Sequence, residues 1–178
     1  MHRIIIGDGM SNEILSSQYQ YQEAKGNVGL RESALLLGKG KAFGRGPLPV
    51  FLRGTAAARA AGEPVELMLL RPVEGEMEAD QAAGSSAHDF VEPIAEISEN
   101  ALIIDSDPGV LPWRALMAGV EKLTGLDSSA VEARNSVRFL VVGCHTDQRI
   151  LAIASFLKEV AGFPEVAVSS HLVGSATH

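Results

Sequence analysis

The sequence is poor in several features, and each shortage excludes something. It carries one cysteine, Cys144, in 178 residues. A disulfide scaffold needs cysteine pairs, and a four-cysteine zinc site needs more still. No apolar run approaches the ~20 residues that span a bilayer. The stretch after Met1-His2-Arg3, Ile4-Ile5-Ile6, is too short for the apolar region of a secretory signal. No basic block is present; Lys39, Lys41 and Arg45 form only a modest cluster. Lys and Arg number 15 against 22 Asp and Glu, a net charge of −7. Such a surface repels phosphate backbones, so neither nucleic acid nor membrane is an expected partner. Internal repeats and low-complexity tails are absent too. What remains is a chain 46% hydrophobic and 21% charged, far too apolar for intrinsic disorder. Its length fits one domain over residues 1–178 with a true core. A cytoplasmic protein in a reducing compartment is the expectation.

Short apolar runs stand at Ile4–Ile6, Val65–Leu70, Ala101–Ile104, Phe139–Val142 and Val166–Val168. They are continuous, not alternating, as strands buried on both faces are. Segments of helical period lie between them. From Leu111, the residues Trp113, Leu116, Met117, Val120 and Leu123 recur at steps of three and four, and Gly125 follows as a stop. Ile150, Ile153, Ala154, Leu157 and Ala161 repeat the pattern before Gly162 and Pro164. A third helix is expected over Phe51–Ala61, ending at Gly62. Irregular loops are expected over about residues 16–50 and 72–90, including the Gly/Lys-rich 38–49. This alternation predicts an α/β fold, Rossmann-like. Its mainly parallel sheet would have about five to six strands, with helices on both faces.

Ligands of such sheets bind beyond the carboxyl ends of the strands. The residues that follow the strands are therefore the candidates: Asp8, Arg71, Asp105, the run Gly143 to Arg149, and His171. The segment 139–157, FLVVGCHTDQRILAIASFL, is the most informative. A buried strand meets Gly143, then a turn holding Cys144, then a helix that Thr146 or Asp147 can cap. Backbone N–H groups and a positive dipole end then stand at the sheet edge, a place for an anion or oxyanion.

Here the chain resembles the isochorismatase-like cysteine hydrolases, which include nicotinamidases and N-carbamoyl amidohydrolases. Gly143-Cys144-His145-Thr146-Asp147-Gln148-Arg149-Ile150 has the shape of the family's nucleophile segment. Ile4-Ile5-Ile6-Gly7-Asp8 resembles its first strand ending in the catalytic Asp. Ala57-Ala58-Arg59-Ala60-Ala61-Gly62-Glu63-Pro64-Val65 resembles its first helix running into the second strand. Gly84-Ser85-Ser86 with Phe90, then Ala101-Leu102-Ile103-Ile104, resembles a loop and the third strand, and Val166 to His171 the fifth. The pieces fall in the family's order. The resemblance implies a small-molecule substrate and a homo-oligomer; no cofactor is expected, and no metal either, since relatives that bind one use an Asp and two His in a spacing this sequence does not show.

The departures are specific. The resemblance places the nucleophile at 149, where this chain has Arg149, and the catalytic Lys after the third strand, where Asp105 and Ser106 stand. Asp8 remains as the catalytic candidate. Arg149, Asp105, His145 and Thr146 are the substrate-binding candidates. A cation in the first turn of a helix opposes its dipole by roughly 0.3–1 kcal/mol. An Asp8–Arg149–Asp105 cluster is therefore expected to offset it. Cys144 reads as a small buried residue, and Trp113 with Leu116 and Met117 as core or an oligomer contact. Neither His88-Asp89 nor His171 has metal-site spacing. Three readings follow. The chain is a cysteine-free hydrolase with Asp8 as general acid, acting on a vinyl ether or a C–N bond. Or it is a catalytically inactive relative serving as a binding or assembly module. Or it is a generic α/β domain, whose Gly7-Asp8-Gly9 lacks the rest of a nucleotide fingerprint.

Overall fold

The computed structural model describes residues 1–10, 36–38, 44–72, 90, 92–106, 110–144 and 149–174. Its strands are β1 (His2–Asp8), β2 (Val65–Pro72), β3 (Leu102–Ser106), β4 (Val137–Cys144) and β5 (Val166–Gly174). Its helices are α1 (Pro47–Ala60), α2 (Glu92–Ser98), α3 (Trp113–Thr124), α4 (Val131–Ser136) and α5 (Leu151–Ser155). The last continues as a π-wound turn, Phe156–Val160. All neighbouring strands are parallel, in the order β3-β2-β1-β4-β5. The fold is the expected Rossmann-like α/β arrangement. No helix among the described residues is long and apolar enough to cross a membrane.

This order explains which helix covers which face. From β1 the chain steps to β2 and β3 on one side, then returns to β4 and β5 on the other. Crossovers of one hand must then place their helices on opposite faces. Leu48 and Leu52 of α1, with Ile94 and Ile97 of α2, pack with Ile5, Leu67 and Leu69 on one face. Leu116 and Val120 of α3, Ile153 of α5 and Leu157 after it pack with Ile4, Ile6, Met68 and Ile104 on the other. Both faces of the central strands are thus buried, which is why their sequences are continuous apolar runs. At Gly119, a Cβ would stand 2.8 Å from Met68 Cε and 3.1 Å from Leu102 Cδ2. The missing side chain lets α3 lie close on the sheet.

Several boundaries differ from the sequence expectation. α1 begins inside the expected loop, at Pro47, because prolines suit the first helical positions, where no N–H bond is needed. α3 ends where predicted: Gly125 takes φ of 70°, the left-handed cap conformation. Cys144 is not in a turn; it is the last residue of β4. His171 does not follow β5 but lies within it. Pairing with β4 shifts register between Val141 and Gly143, then resumes at Val173 and Gly174. α2 and α4 were not anticipated; at seven and six residues they are too short to show a clear helical period.

Candidate functional site

The chain reverses its direction of winding between β1 and β4, so their carboxyl ends form the switch point beyond which sheets of this kind bind ligands. Asp8 ends β1, directly opposite Gly143 of β4. Gly143 has φ of 125°, and a Cβ there would overlap the carbonyl oxygen of Asp8. Only glycine lets the two backbones meet so closely.

Strand alternation decides which groups meet beyond this point. Ile4 and Ile6 face the α3/α5 core, so Asp8, two residues on, shares that face. Ile104 faces it too, and Ser106 follows at the same parity. Arg149 reaches in from the start of α5. Its Nε donates to Asp8 Oδ2 at 2.6 Å and its Nη2 to Ser106 Oγ at 3.0 Å. Its Nη1 donates to the carbonyl of Val110 at 3.3 Å. The pair is largely withdrawn from water, with side-chain exposures of 20% for Arg149 and 9% for Asp8. Ser106 is buried. One guanidinium therefore ties β1, the end of β3 and the chain leading to α3 to the mouth of α5. Residues 149–150 there are π-wound, a helical irregularity frequent at functional sites.

The expected Asp8–Arg149–Asp105 cluster forms only in part. Asp105 is one residue from Ser106, so its carboxylate stands on the opposite face of the sheet. There it takes two hydrogen bonds from Arg71, its register partner on β2: Nε to Oδ1 at 2.8 Å and Nη2 to Oδ2 at 3.3 Å. Ser106 stands where Asp105 was expected. The alternation through Ile103 and Ile104 was the signal that could have shown this. His145 and Thr146, like His88 and Asp89, lie outside the described residues. Cys144 is wholly buried at the end of β4. Trp113 is not core; half of it is exposed, on the outer side of α3. Among the described residues, no group of three or more His, Cys, Asp or Glu could hold a metal ion.

The chemistry open to this site follows from its atoms. A guanidinium is always charged and has no lone pair to offer, so Arg149 cannot attack a substrate as a thiolate would. It can donate hydrogen bonds to an anion or orient a carboxylate. Asp8 is the acid–base group of the cluster. Comparisons of the chain with family models, with curated proteins and with solved structures give no significant match.

Proposed function

We propose that the chain is a divergent relative of the isochorismatase-like hydrolases in which an ion pair occupies the catalytic position. It then serves as a binding or assembly module. The observation that carries this reading is the bond from Arg149 to Asp8. It is short, largely withdrawn from water, and accompanied by bonds to Ser106 and Val110 that engage each guanidinium nitrogen within the protein. The resemblance puts a nucleophile where Arg149 stands, and a cation after the third strand, where the buried Ser106 hydroxyl stands. A cation thus stands at the nucleophile's position and a hydroxyl at the cation's, and the carboxylate between them is engaged. A cytoplasmic setting, with one buried cysteine in a reducing compartment, belongs to the same reading.

One observation favours a second reading. Asp8 ends β1 at the reversal point of the sheet, the usual place for a small-molecule substrate. In that reading Asp8 protonates a vinyl ether or a C–N leaving group, water completes the hydrolysis, and Arg149 holds a substrate carboxylate. The test is turnover by wild type and Asp8→Asn on nicotinamide, N-carbamoyl amides and isochorismate. A thermal melt checks that both proteins are folded. No turnover by either is expected. Turnover by wild type that vanishes in Asp8→Asn overturns the module and establishes the hydrolase.

A further inference from the structure

The outer side of α3 carries a groove that the site at the strand ends does not use. Trp113, Arg114, Met117, Ala118, Glu121 and Phe156 line it, and its volume is about 330 Å³. Trp113 is 51% exposed, and its ring meets Phe156 edge-on, with centroids 5.9 Å apart. Val160, four residues beyond Phe156, is 68% exposed. Exposed apolar side chains gathered along one groove mark an interaction site, and a tryptophan held by a second ring is a common anchor there.

The two ends of the groove differ in charge. Trp113 and Arg114 stand in the first turn of α3, which holds no acidic residue and has no side-chain cap. Arg114 is exposed and, among the described residues, makes no ion pair or hydrogen bond. Guanidinium and helix dipole act together at this end, and both attract a carboxylate. Glu121 lines the other end, where its Oε1 accepts from the backbone N–H and the hydroxyl of Ser128, at 3.2 and 2.7 Å. A second copy of α3 does not match this pattern. Laid antiparallel about the middle of the groove, between Met117 and Ala118, it sets each Trp113 against the other copy's Lys122 and leaves the ring pair without apolar cover. An extended peptide does not match it either. The groove is walled by helices and offers no strand edge to bond the peptide's backbone, whereas a helix brings its own backbone bonds. From Trp113 to Glu121 the wall is about 12 Å long, or two turns. A helix lying along it meets it with side chains at i, i+3 or i+4, and i+7.

We propose that this groove docks an amphipathic helix of another protein, whose apolar stripe seats on Trp113, Met117 and Phe156 and whose carboxylate meets Arg114. The inference rests on the module reading, to which it adds the class of partner. The experiment selects a phage-displayed library of tryptophan-free amphipathic helices, long enough to hold helical form, on the wild-type chain. The most enriched peptide is then synthesised. Its binding is followed through Trp113, the single tryptophan of the chain, in wild type and in Arg114→Glu. Circular dichroism melts confirm that both proteins are folded. Enriched peptides are expected to carry the apolar stripe beside an Asp or Glu. Binding should move the Trp113 emission to shorter wavelength as the ring leaves water. Arg114→Glu should bind the peptide more than about tenfold more weakly, and replacing the peptide's acid by Lys should restore the affinity. No enrichment, an unmoved Trp113 emission, or equal affinity for Arg114→Glu overturns the inference. So does an enriched sequence that copies residues 114–124, because the occupant would then be a second copy of this chain. Failure of the module reading is seen separately. Substrate turnover by the wild type overturns that reading and leaves peptide binding measurable, whereas absence of peptide binding overturns the docking groove and leaves the Asp8–Arg149 pair as it is.

Discussion

At the scale of single residues, the site rests on one largely buried pair. Asp8 and Arg149 bond at 2.6 Å with little exposure to water. Removing one partner leaves the other charge buried and uncompensated, which typically costs about 3–5 kcal/mol. Arg149→Ala is therefore expected to lower the unfolding free energy by about 3 kcal/mol or more, as read in a urea titration. Replacing both partners, as Asp8→Leu with Arg149→Met, is expected to cost less than either single change, because no unpaired charge remains. An unchanged midpoint for Arg149→Ala would mean that the pair contributes little to stability. Gly143 is a second such point. Alanine there combines a positive φ with overlap of the Asp8 carbonyl, so Gly143→Ala is expected to cost at least about 3 kcal/mol or to prevent folding. Asp8 and Arg149 were legible in the sequence, because strand ends and the family resemblance both point to them. Their third partner was not. Asp105 has the obvious chemistry for a cation, but a carboxylate one residue out of phase faces the wrong side of the sheet. Ser106 looks unremarkable until the alternation along β3 is followed.

At the scale of elements, the long periodic helices and the central strands were legible because burial alone shapes them. α3 announces itself by its apolar stripe and by Gly125. β1 and β2 do so by runs that no half-exposed strand would tolerate. What escaped was set by local geometry. The start of α1 lies in proline-rich sequence that reads as loop, yet Pro47 and Pro49 fall where a helix accepts them. α4 depends on the turn before it. Asp127 Oδ1 accepts from the Ser129 hydroxyl at 2.7 Å and from its backbone N–H at 2.9 Å, shaping the approach to the helix. The hydroxyl bond first, and the backbone bond second, hold the Asp127 carboxyl below the ordinary aspartate value. Both favour the ionised form. A carboxyl depressed in the folded state adds stability above its unfolded pKa, and that stability is lost as pH falls through the folded value. Ser129→Ala is expected to move the Asp127 pKa upward, towards the ordinary value, in a carboxyl carbon NMR titration. It should narrow the acid range over which α4 stays formed. A pKa that does not move would mean that the hydroxyl bond is absent in solution.

At the scale of the whole molecule, the sheet has a rigid centre and one loosely held edge, and this asymmetry has a measurable consequence. β1 lies between β2 and β4, and its residues Ile4 to Asp8 are all buried. β5 is an edge strand whose pairing with β4 breaks between Val141 and Gly143, and Ala167, Ser170 and His171 are exposed. Strands that bury little and pair irregularly open locally at small cost, while central strands open only when the molecule unfolds. In native-state hydrogen exchange, the amides of β1 and β2 should therefore share one large opening free energy, equal to that of global unfolding. Those of β5 should exchange through smaller openings that denaturant hardly affects. Arg149 adds a cross-tie to this picture, since it joins the ends of β1 and β3 to the mouth of α5. Its replacement by alanine should lower protection at the carboxyl end of β3 and the first turn of α5 more than at the amino ends of β1 and β2. Uniform loss of protection across all five strands would show that Arg149 stabilises the fold only globally. Selective loss at those two places would locate its contribution at the reversal point of the sheet.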